Sequence, residues 1–201
     1  MIDFYLKGGV FMHPILLCSI LSLAFFIYKA ITLKQERNIP KALVDEATKL
    51  FKEKRHKEVF SLCAKYPSPM AKILMVVAKN AGKGKTSIKQ SVEEVGKLEV
   101  IELESYIDYI GTIAGISTLL GLLGTISGLI KIFSIIGVEP VVNPAKLAGG
   151  ISEALNTTAF GLTVAIPSVI FHRYLDTKAN KLVAEMENTA LMLIDIAEEV
   201  D

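Results

Sequence analysis

The chain has few of the groups that catalysis or metal binding requires. Its two cysteines, Cys18 and Cys63, make no disulfide framework and read as apolar fillers. His13, His56 and His172 are scattered, with no ligand partners at useful spacing, so neither a metal nor a cofactor is expected. No motif brings a nucleophile, a base and an orienting group together, so the chain is not expected to be an enzyme. No nucleic-acid partner is expected. Charge is absent from three long runs, residues 8–28, 109–130 and 154–171. Each run is about 18–22 residues, enough to cross a hydrocarbon core of roughly 30 Å as a helix. A soluble bundle would need a polar face on each helix, and these runs show none. The first run passes directly into polar sequence without a small-residue cleavage motif, so it reads as an anchor rather than a signal peptide.

Hydrophobic residues make up 51% of the 201, and the mean hydropathy is +0.45. The expected fold is an all-α integral membrane protein with three transmembrane helices, the second and third extended into a cytoplasmic helical bundle, since backbone groups in lipid must be satisfied within each segment. The net charge of +1 hides an asymmetry: of 22 Lys and Arg, 16 lie between Lys29 and Lys97. Positive residues stay on the cytoplasmic side. That places the N-terminus outside, the long loop inside, the short second loop outside and the C-terminus inside. The expected divisions are a first span at 8–31, a cytoplasmic helical region at 32–106 and a second span at 107–137. A periplasmic loop at 138–146, a third span at 147–172 and a cytoplasmic extension at 173–201 follow.

Periodicity adds detail. Lys41 to Lys57 reads as an amphipathic helix after Pro40, Val59 to Lys65 as a short helix broken by Pro67 and Pro69, and Met70 to Ala81 as another stopped by the Gly82–Gly84 turn. From Thr86 the chain reads as helical into the second span, with Gly96 its only weak point. In the third helix, steps of four and three from Ala154 pass through Thr158, Gly161, Ala165, Ser168, His172, Leu175, Ala179, Leu182, Met186, Thr189, Leu193 and Ile196 to Val200. A sustained 3.5-residue repeat means one helix packed along its whole length, roughly 70 Å at 1.5 Å per residue. The stripe is small and polar in its first part and mostly Leu, Met and Ile in its second. Pro167 must remove one backbone bond.

The second span has a matching small face of Thr118, Gly121, Thr125 and Gly128, and Gly111–Gly115 and Gly124–Gly128 are both GxxxG pairs. Leu155, Leu162, Ile166 and Ile170 form a bulky outward side suited to lipid or a neighbouring subunit. Three spans with this much small surface cannot fill their own centre, which implies a ring of subunits around an axial space. Thr125 and Thr158 each place a hydroxyl at membrane depth, facing that space or bonding back to the helix's own carbonyls. Glu153 lies near the outer end, in a solvated mouth or on an ion path. Asn156 and Thr157 could bond across helices, and Lys131, about six residues from the outer end of its span, could snorkel.

The runs LGLLGTISGL (Leu120 to Leu129) and ISEALNTTAFGLTVAIPSVI (Ile151 to Ile170), with the opening helix VFMHPILLCSILSLAF, resemble the MotA/TolQ/ExbB proton-channel family. The resemblance covers all three spans and the order and size of the loops. Three spans and a short tail are more similar to ExbB or TolQ than to four-span MotA, and of the two to ExbB. It implies a bacterial inner-membrane homopentamer enclosing two copies of an ExbD-like or TolR-like single-span partner, whose membrane-embedded Asp binds and releases the proton. A TonB-like or TolA-like protein would act beyond it. Thr125 and Thr158 match the family's two pore-facing threonines, and Glu153 its acid at the start of the third span. Gly121, Gly128, Gly161, Ala165 and Pro167 are the expected packing residues of the pore helices. Thr157 stands where the family often has Ala, which leaves the choice between proton and sodium open. The chain has no acid at mid-membrane, so a proton relay cannot be completed within it. A non-conducting scaffold for a single-span partner is the alternative function.

Overall fold

The computed structural model describes residues 8–138 and 143–199. Val200 and residues 139–142 of the expected outer loop lie outside the described residues. Eight helices and no strand occur among the described residues. They are α1 (Met12–Thr32), α2 (Gln35–Asn38), α3 (Lys41–Lys52), α4 (His56–Cys63), α5 (Pro69–Asn80), α6 (Lys85–Glu104), α7 (Ile107–Val138) and α8 (Pro144–Glu199). Three stretches are long and apolar enough to span a membrane, so the chain is an all-α membrane protein with three spans.

The helix entering the second span breaks at Ser105 and Tyr106; Gly96, the expected weak point, sits inside unbroken α6. Tyr106 adopts a left-handed φ of +67°, which costs a bulky residue about 1–2 kcal/mol. A break also strands carbonyls at the end of α6. The Lys29 ammonium takes two of them, Glu102 O at 3.1 Å and Leu103 O at 3.0 Å, and the Ser105 hydroxyl donates to Glu102 O at 2.7 Å. The Tyr106 ring packs against Phe25, Tyr28 and Tyr109, with centroids 5.6–5.9 Å apart.

The described residues fall into two compact units, residues 8–28 with 106–174 and residues 29–105 with 175–199. In the first, α1 buries a narrow seam of Met12, Ile15 and Ser22 while Leu16, Leu17, Ile20, Leu23 and Ile27 stay exposed. Only 17% of its apolar window is buried, so most of this helix is surface for lipid or another chain. Phe26 stacks on Phe171 of α8 at 4.0 Å. Ser168 donates to Val164 O, so its Oγ accepts from Ser22 at 2.7 Å, a buried bond joining α1 to α8.

The second unit is built like a soluble core. Leu43, Phe51, Val59, Met70, Leu74 and Ile88 are fully buried, together with Leu175, Leu193 and Ile194 of α8. Ser68 caps α5 by accepting from Ala71 N at 3.2 Å, with Pro69 in the first turn. Glu99 of α6 is 5% exposed and is held by Lys72 of α5 through bonds of 2.8 and 2.9 Å. The bonds to Glu99 push the Lys72 pKa up, and burial pushes the Cys63 thiol up to about 11, which leaves it inert at neutral pH. An open, mostly apolar groove of about 750 Å³ runs among α5, α6 and α8, with Gly96 in its wall.

Candidate functional site

Gly121, Gly128, Gly161, Thr158 and Glu153, among the residues expected to matter, lie along the seam between α7 and α8. The helices run antiparallel: as contacts climb α7 from Gly111 through Gly121 and Gly128 to Ile132, their partners descend α8 from His172 through Gly161 and Ala154 to Gly150. The approach is close because glycine permits it. A Cβ on Gly161 would lie 2.7 Å from Ser117 O and 3.0 Å from Gly121 Cα. One on Gly128 would lie 2.8 Å from the Ala154 methyl, and one on Gly124 would overlap Thr157. Without a hydrophobic drive between helices in lipid, such backbone contact is what holds them together.

Gly121, Gly128 and Gly161 therefore lie in this seam and Ala165 is buried one turn further on, while Pro167 is exposed on α8, which continues through it. The packed face of α7 is Ser117, Gly121, Gly124 and Gly128, rotated from the face expected with Thr118 and Thr125. Thr118 is exposed and donates to Ala114 O. Thr125 is half-buried at the flank and donates to Leu122 O of its own helix at 2.6 Å. Thr158 instead crosses the seam and donates to Gly121 O at 2.9 Å. Thr157 is buried and shares its one hydroxyl proton between the carbonyls of Gly8 at 2.5 Å and Glu153 at 2.8 Å, tying the start of the described chain to α8. Leu155, Leu162, Ile166 and Ile170 are exposed.

Charge sits at the two ends of the seam. At one end His172 Nε2 lies 3.9 Å from Asp108. At the other, Lys131 Nζ meets Glu153 Oε1 at 2.5 Å, and the carboxylate lies against Gly9, whose φ is +72°. Lys131 is thus paired across the seam, where sequence reading had it snorkelling alone. A signal was available: in antiparallel spans, a Lys about six residues before one outer end and a Glu about six after the next lie at the same depth. Between these ends the two spans carry only hydroxyls, amides and apolar groups. Among the described residues, no group of three or more His, Cys, Asp or Glu could hold a metal ion.

This architecture is a three-span membrane protein whose second and third helices share a small-residue seam with polar ends. The model of the MotA/TolQ/ExbB proton channel family matches residues 65–188. The putative biopolymer transport protein ExbB-like 3 of Synechocystis sp. is 33% identical over 168 residues, 83% of this chain and 80% of that protein. ExbB-like 1 of the same organism is 30% identical over 186 residues, 87% of this chain and 70% of its own length. The Tol-Pal system protein TolQ of Haemophilus influenzae is 32% identical over 90 residues, 45% of this chain and 40% of that one. The chain belongs to the MotA/TolQ/ExbB proton channel family, with its broader likeness to the ExbB-like relatives.

Proposed function

We propose that this chain is the channel subunit of an ion-driven motor of the bacterial inner membrane, of the ExbB–ExbD or TolQ–TolR type. It converts proton-motive force into work for outer-membrane transport or maintenance. The observation that carries the reading is the seam itself: hydroxyls and bare backbone at membrane depth, with carboxylates only at its ends. A buried relay needs a group that takes up and releases the proton, and this chain supplies none midway. The acid is then brought by an ExbD-like or TolR-like single-span partner within a pentameric ring, linked onward to a TonB-like or TolA-like protein. Thr125, Thr158 and Glu153 line the path. The basic stretch from Lys29 to Lys97 and the tail after residue 172 face the cytoplasm, and the N-terminus and the second loop face the periplasm.

The test is proton flux into liposomes holding the complex with its single-span partner. Thr158→Val should abolish flux while the complex still assembles, since the lost interhelical bond is worth only about 0.6 kcal/mol. The second reading, a non-conducting scaffold, draws on one observation: the Thr125 and Thr158 hydroxyls already donate to carbonyls. On that reading neither the wild-type complex nor the variant carries flux.

A further inference from the structure

The Lys131–Glu153 pair has a geometry that a snorkelling lysine does not need. Lys131 is the only cation in residues 107–137, and its ammonium is turned onto a carboxylate of the neighbouring helix rather than away from it. The Glu153 side chain is 22% exposed and the Lys131 side chain 53%. One side of the carboxylate is closed by the backbone at Gly9, where any Cβ would strike Oε1. That backbone is held in turn by the Thr157 bond to Gly8 O. Three segments thus hold a single carboxylate, and the ammonium occupies the same oxygen that Gly9 approaches.

We infer that Lys131 is a tethered counter-cation for Glu153, and that it biases the outer end of the path toward protons and against metal cations. The inference rests on the proposed channel function. A bare carboxylate at the edge of hydrocarbon would concentrate small cations, because an isolated charge there is poorly solvated. With the ammonium on it, the pair has no net charge to offer. A sodium ion would have to shed water and displace a cation that the chain itself keeps at high effective concentration. A proton moving along water and hydroxyls faces no such competition. Lys131 is therefore a positioning and selectivity residue acting through Glu153.

The experiment measures proton flux and sodium-22 uptake in liposomes containing the complex with its single-span partner. Wild type, Lys131→Arg, Lys131→Gln, and Lys131→Gln combined with Glu153→Gln are compared. The proton-over-sodium ratio should fall about tenfold in Lys131→Gln and remain near wild type in Lys131→Arg. The sodium uptake gained in Lys131→Gln should disappear when Glu153→Gln is added, because no free carboxylate then remains. An unchanged ratio in assembled Lys131→Gln would overturn the inference while leaving the channel reading intact. So would a sodium leak that persists in the double variant, which would mark a pore opened by bad packing. Absence of proton flux in wild type would overturn the channel reading, and the inference with it. If Lys131→Gln fails to assemble, the Lys131→Arg and double variants decide: sodium uptake above the wild-type level in either contradicts the tethered-cation role.

Discussion

One helix, α8, carries the same 3.5-residue stripe through both units, and the two halves of that stripe have almost nothing in common chemically. In the first unit it reads Ala154, Thr158, Gly161, Ala165 and Ser168; in the second, Leu175, Ala179, Leu182, Met186 and Leu193. Every described member is buried or half-buried, so the geometry of burial is continuous. On the proposed topology, what changes is the solvent outside. In water, burying a large aliphatic side chain is itself the driving force, about 25 cal/mol per Å² of apolar area. In lipid that drive vanishes, and close backbone approach with interhelical hydroxyl bonds takes its place. Size is therefore destabilising in one half and stabilising in the other.

The comparison breaks most sharply at glycine. Gly161→Leu should prevent folding, because its Cβ alone meets Ser117 O and Gly121 at 2.7–3.0 Å. Gly115→Leu, where nothing lies within 4 Å of a Cβ, should be accepted in a single subunit. Monodisperse yield in detergent separates the two, and equal loss would mean that the first unit is not held by close contact. Next in size is the converse change in the second unit: Leu193→Ala, at a fully buried site, should cost about 3 kcal/mol and lower the melting temperature in the same detergent.

Lys72→Met comes third, at about 1–2 kcal/mol, since it leaves Glu99 buried without its ammonium while half of the Lys72 side chain is open to solvent. The sign follows from a raised lysine pKa. The stabilisation is fully present below the ordinary lysine value of 10.5 and is lost as pH rises through the higher folded value. Melting curves of variant and wild type should thus differ at pH 8 and draw together only as pH rises past the raised folded value, above 10.5. The smallest effect is a gain: Gly96→Ala, inside α6 and with open space around it, should stabilise by about 0.5–1 kcal/mol.

Sequence reading reached the three spans and the α8 stripe because both are written in patterns longer than any local accident, an 18-residue run or a dozen repeats in phase. It missed what depends on distant partners. Nothing between Thr86 and Tyr106 announces a break; the break depends on Lys29, 73 residues before Glu102, which satisfies the stranded carbonyls. Small residues lie on two adjacent strips of α7, and the sequence does not say which of them packs within one subunit. Helix contact selects the strip with Ser117, Gly121, Gly124 and Gly128, which leaves Thr125 at the flank. The Lys131–Glu153 pair is not legible on either helix alone, because it exists only across the seam.

The central claim is that this chain forms half of an ion path and is completed by other chains around an axis. Native mass spectrometry of the detergent-solubilised chain, alone and co-produced with its single-span partner, tests it most directly. The account predicts a closed ring, five copies if the family's ring holds, that captures two partner chains. A monomer or dimer that ignores the partner would contradict it.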